Sequence, residues 1–145
     1  MGATTSRKKI LVYSDDSTVR AAILSALGKR VSADLPEHDI SEFATADALR
    51  AVLDASKSGQ GADLIILDGE AVPEGGMGVS RQLKDEVFQC PPVLLITGRA
   101  DDAWLAAWSR ADATVLEPID PFAFANVAAE LLRIASLTHA HGAPH

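Results

Sequence analysis

Cysteine is nearly absent: Cys90 stands alone, so no internal disulfide can form, and no Cys/His spacing of the zinc type occurs. Long apolar runs are missing too. No stretch approaches the roughly 20 continuous apolar residues that span a bilayer, and no apolar leader segment follows the first Met. The chain is therefore expected to be soluble and cytoplasmic, without a membrane partner. Basic residues are the scarcer charge, 13 against 20 acidic, for a net charge of −7, and no Lys/Arg cluster follows the early "SRKK". That argues against a nucleic-acid partner, whose phosphates demand a basic face. The patterns GxxxxGK[ST], GxGxxG and GxSxG do not occur, so a nucleotide-binding or small α/β enzyme reading finds little support. "GQG" at 59–61 and "GGMG" at 75–78 are too short to stand in for them.

What is present is an alternation of two periodicities. The 145 residues, 48% of them apolar, suit one domain with one core. Compact apolar runs at 8–14, 62–68, 91–97 and 113–118, with a weaker one at 38–44, read as strands. Between them lie segments of helical spacing: 16–30 with Gly28 as a stop, one after Thr45 or Asp47 through Leu49, Val52 and Leu53, 79–87, 101–111, and 120–137 with Pro121 in its first turn. Five βα units imply an α/β fold, a five-stranded parallel doubly wound sheet of flavodoxin-like (βα)5 build with helices on both faces. The domain is expected to span 8–137, with 1–7 and 138–145 as flexible tails.

Open α/β sheets present ligands at the carboxyl ends of their strands. Strand one ends in Ser14, Asp15 and Asp16, strand three in Asp68, strand four in Thr97 and strand five in Glu117. Each has an ordinary explanation by itself: an Asp that caps a helix or anchors a turn, a Thr that caps a loop. Their gathering at one edge in this order has none.

The set "VYSDDSTVR", "LIILDGEAVPEGGMG", "LLITG" and "TVLEP" resembles the receiver domain of bacterial two-component response regulators, over roughly residues 8–135. The resemblance implies that Asp68 is the phosphoacceptor and that Asp15, Asp68 and the Glu70 carbonyl hold Mg²⁺. Thr97 is then the switch hydroxyl, with a histidine kinase or a downstream regulator as partner. A carboxylate attacks phosphorus only if a hard cation gathers the oxygens, and Mg²⁺ prefers a few carboxylates with water and phosphate oxygens.

Against that pattern Ser14 takes the place of the first acid, Pro73 follows Asp68 one position late in a Gly-richer loop, and Thr114 replaces a relay aromatic. The largest departure is Glu117, which stands where the family has a lysine before its proline. Reversing a unit charge at roughly 5 Å and an effective dielectric of about 20 changes a nearby anion's energy by about 6 kcal/mol before relaxation. The expectation is an atypical stand-alone response regulator, a protein-interaction module with impaired or absent phosphorylation and a weak or absent Mg²⁺ site. The alternative is a functional phosphoacceptor that relays phosphoryl groups from a kinase through Asp68. Trp104 and Trp108, four apart on the fourth helix, share a face. At least one of them is expected to cover the core; exposed, the pair would form a partner or homodimer surface.

Overall fold

The computed structural model describes residues 7–56, 62–87, 89–98 and 103–142. In chain order the elements are β1 (Lys8–Tyr13), α1 (Ser17–Leu27), β2 (His38–Phe43), α2 (Ala46–Ser56), β3 (Leu64–Asp68), α3 (Gly76–Glu86), β4 (Val93–Thr97), α4 (Ala103–Trp108), β5 (Ala113–Leu116) and α5 (Pro121–Gly142). The strands pair in parallel in the order β2-β1-β3-β4-β5. This is the (βα)5 doubly wound fold that the alternation implies.

Strand side chains alternate between faces, which sorts the core into two layers. Ile10, Val12, Leu64, Ile66, Leu94 and Ile96 pack against Ile23 and Leu27 of α1 and Phe124, Ala128 and Leu132 of α5. Leu11, Tyr13, Ile65, Leu67 and Leu95 face Leu49 and Leu53 of α2 and Val79 and Leu83 of α3. Every residue of β3 and β4 is buried, as continuous apolar strands covered on both sides must be. Among the described residues no helix is long and apolar enough to cross a membrane.

Helix ends follow their local chemistry. The Asp16 side chain accepts the Thr18 N–H at 2.8 Å and caps α1, and Gly28, at φ 57°, closes it. Thr45 rather than Asp47 caps α2, accepting the Ala48 N–H at 3.2 Å. At the far side, Arg133 of α5 holds Asp34 and Ser32 in the connection before β2, and this keeps the Asp34 carboxyl far below the usual carboxylate range.

Several boundaries differ from expectation. α3 begins at Gly76, not 79, because two glycines let the chain turn into the helix directly against β3. A Cβ on Gly76 would lie 2.7 Å from the Asp68 carbonyl oxygen, and one on Gly75 2.9 Å from that of Gly69. α4 is shorter than 101–111: the Ser109 hydroxyl binds the Ala106 carbonyl and Arg110 turns left-handed at φ 64°. Residues 101 and 102 lie outside the described residues. β5 reads as a buried strand but is a half-exposed edge strand, with Leu116 49% exposed. α5 continues to Gly142, past residue 137, while the outermost ends, 1–6 and 143–145, lie outside the described residues.

The glycine packing separates two substitutions in one helix. Gly76→Ala forces backbone apart and should cost about 1–3 kcal/mol. Gly78→Ala meets open space and should gain up to about 1 kcal/mol from helix propensity. Urea unfolding of both variants checks the contrast.

Candidate functional site

The β2-β1-β3 order reverses direction at β1 and β3, and the switch point of such a sheet opens at the carboxyl ends of those strands. Tyr13 lies level with Leu67 and Asp68 level with Ile96, so Ser14 and Asp68 emerge side by side. Asp68 is only 3% exposed and Ser14 is fully buried. The Ser14 hydroxyl donates to Asp68 Oδ2 at 2.8 Å, and the Glu70 N–H donates to Oδ1 at 2.8 Å. Both oxygens of the carboxylate thus hold a protein donor, as a buried charge requires.

The loop from Asp68 to α3 is fastened from three directions. Asp15 Oδ1 accepts the Val72 N–H at 3.0 Å. The Tyr13 hydroxyl, at the end of a buried strand, donates to the Glu74 carbonyl at 2.6 Å. Arg50 of α2 grips the Glu74 carboxylate with two nitrogens, at 3.0 and 2.6 Å, and reaches Gln82 of α3 at 2.9 Å. Gly69 packs so closely on β4 that a Cβ there would sit 2.6 Å from the Ile96 carbonyl oxygen. The peptides before Pro73 and Pro118 are cis.

Glu117 follows β5, its N–H bound to the Thr97 carbonyl at 2.9 Å. Burial, and then the charges of Asp68, Glu70 and Asp16, push its carboxyl above the ordinary value. It is partly buried, and among the described residues no hydrogen bond or ion pair holds its side chain. Glu70 lies nearby: a Cβ on Gly98, just past β4, would sit 3.2 Å from its carboxyl carbon. Thr97, 4% exposed, turns its hydroxyl to the Val115 carbonyl at 3.5 Å. Asp68, Glu70, Asp16 and Glu117 therefore share one field, with Asp15 tied to the loop beside it.

The donors at this edge are all oxygens, the chemistry of a hard cation. Mg²⁺ is commonly held by one or two carboxylates with its remaining positions on water, and Asp15, Asp68 and the Glu70 carbonyl fit that demand. Among the described residues no three His, Cys, Asp or Glu side chains are grouped as a fuller cage.

The two tryptophans depart from expectation. Trp104 is 70% and Trp108 45% exposed, so neither covers the core. The short α4 packs inward through Ala106, which leaves the 104/108 face outward. Arg81 stacks 5.5 Å over the Trp108 ring and donates to its carbonyl, tying α4 to α3.

Two response regulatory proteins from Mycobacterium tuberculosis strains, both described as uncharacterised, are each 50% identical to this chain over 125 residues, covering 86% of it and 91% of the relative. The chain belongs to the response regulators, as a receiver domain of two-component signalling. No protein-family model matches the sequence. Solved receivers share the fold at lower identity. A CheY-like receiver domain protein from Methanospirillum hungatei superposes at TM-score 0.69 with 19% identity, over 90% of this chain and 98% of its own. The REC domain of AraT, a response regulator from Geobacillus stearothermophilus, superposes at 0.71 with 19% identity, over 92% and 99%.

Sequence reasoning treated position 14 of this receiver only as a lost acid and missed that its hydroxyl serves Asp68. It also passed over Tyr13, although a lone tyrosine inside an apolar run needs a partner for its hydroxyl. Arg50 showed locally only its i,i+3 pair with Asp47; its partners at the site, Glu74 and Gln82, lie on a loop and another helix.

A raised pKa in the folded state means that folding disfavours the ionised Glu117. That cost is absent below the unfolded pKa of about 4.3 and complete above the folded one. Glu117→Gln should therefore melt at a higher temperature than the parent at pH 7, with the advantage shrinking towards pH 4.

Proposed function

We propose that this receiver is an atypical response regulator that signals as a protein-interaction module, with phosphorylation of Asp68 impaired. The observation that carries the reading is the placement of Glu117 in the field of Asp68, Glu70 and Asp16, where the family places a lysine. A phosphoryl group on Asp68 would add negative charge to a cluster that already disfavours it. Mg²⁺, held by Asp15, Asp68 and the Glu70 carbonyl, would supply the charge neutralisation that phosphoryl transfer needs. Asp68 would present the attacking oxygen, from a carboxylate that the Ser14 hydroxyl and the Glu70 N–H hold in place. Thr97, bonded across to Val115, would have to turn to meet phosphoryl oxygens.

The lost relay supports the same reading. Thr114 is exposed on β5 and offers no aromatic ring to swing between buried and exposed positions. Receiver domains exchange signals with histidine kinases and effectors, and the surface we assign to such a partner is the outward face of α4 with Trp104 and Trp108. Exposed tryptophans make strong interface anchors. A second copy of the chain is the other occupant of that face.

Incubation with Mg²⁺ and a small phosphodonor, read by intact mass, tests the proposal. Slow or partial labelling that Glu117→Lys accelerates, and Asp68→Asn abolishes in both backgrounds, is the expected result. Rapid stoichiometric labelling of the parent protein would instead establish a phosphoryl relay through Asp68.

A further inference from the structure

Ser14 is built into its place more firmly than a spare surface hydroxyl would be. Its N–H donates to the Phe43 carbonyl at 3.1 Å, and its own carbonyl accepts from Arg20 Nη1 at 2.6 Å. Arg20 is in turn fixed by Glu42 at 3.0 Å. The hydroxyl oxygen accepts the Asp16 N–H at 3.1 Å while it donates to Asp68 Oδ2. A hydroxyl has one proton, and the shorter contact, to the carboxylate, takes it; the 3.4 Å approach to the Asp16 carbonyl is left without one. An N–H feeding an O–H that feeds a carboxylate is a polarised chain, each link strengthening the next.

An ionised acid at position 14 could still accept the Asp16 N–H but could not donate to Asp68. Carboxylates only accept, so an acid there would repel Asp68 unless a cation lay between them. A serine satisfies Asp68 without any cation and competes with one for the carboxylate's lone pairs. We infer that Ser14 is a positioning residue that holds Asp68 in a metal-independent state and sets how strongly the pocket takes Mg²⁺. The inference rests on the receiver-pocket reading above and deepens it: serine lowers the demand for metal as glutamate lowers the tolerance for phosphate.

The test is calorimetric titration of Mg²⁺ into the full chain and its position-14 variants, without phosphodonor and with Glu117 retained. Ser14→Ala removes the competing proton and should bind Mg²⁺ about tenfold more tightly, the scale of a hydrogen bond to a charged group. Ser14→Thr keeps the hydroxyl and should match the parent. Ser14→Asp adds a third carboxylate beside Asp15 and Asp68 and should bind more tightly still. Melting in chelator should rank Ser14→Ala below the parent, and saturating Mg²⁺ should raise that variant's midpoint more than the parent's. A purely structural role for Ser14 would lower stability without changing affinity.

Ser14→Ala that binds Mg²⁺ no more tightly than the parent overturns the inference, as does Ser14→Thr that binds like Ser14→Ala. Ser14→Cys, similar in size and a weak donor, takes the place of the alanine variant if the latter does not fold. Because no phosphodonor is present, a flat series counts against Ser14 alone, whereas fast labelling of the parent protein counts against the reading of Glu117.

Discussion

A carboxylate carried into a protein interior must be met by hydrogen-bond donors or a cation, and Asp68, at the mouth of two strands buried on both faces, is the group on which that constraint falls. The chain meets it with the Ser14 hydroxyl on one oxygen and the Glu70 amide on the other. Much of the surrounding architecture follows from holding those two donors still. Ser14 needs β1 locked beside β3, and Glu70 needs a loop that turns back at once after the strand. That turn is why Gly69, Gly75 and Gly76 sit so close to neighbouring carbonyls that a side chain would not fit.

The same loop shows how charge is distributed around the pocket. On one flank Arg50 satisfies Glu74, and its guanidinium holds the Glu74 carboxyl below its ordinary range. On the other flank burial and the charges of Asp68, Glu70 and Asp16 push the Glu117 carboxyl up, and no described residue pairs with it. Among the described residues one acid has a cationic partner and the other has none. The second stands at the end of β5, beside the carboxylate that both the Ser14 hydroxyl and the Glu70 N–H serve.

The alternation of strand and helix signals was enough to read the fold, because each apolar run had to be covered on both sides and each helix carried one apolar face. The site's position was legible for a related reason: strands that run in parallel deliver their last residues to one edge, so Asp15, Asp68, Thr97 and Glu117 could be grouped without coordinates. What escaped were features set by tertiary neighbours. The exposure of β5 depends on its place at the edge of the sheet, and the outward turn of Trp104 and Trp108 depends on α4 stopping at Trp108, where Ser109 and Arg110 end it. Position 14 looked like a loss because its gain, a proton for Asp68, exists only once β1 and β3 are paired.

The sheet's two margins carry a last consequence. β5 offers a rim of just four residues that runs into a proline two positions on, and β2 shows exposed Asp39 and Glu42, each engaged by an arginine. Short or charged rims are poor templates for an incoming backbone. Lateral growth of the sheet by annexing a neighbour's strand is thereby discouraged at both borders, and recognition is left to side chains: specific, reversible contacts suited to a messenger that must let go.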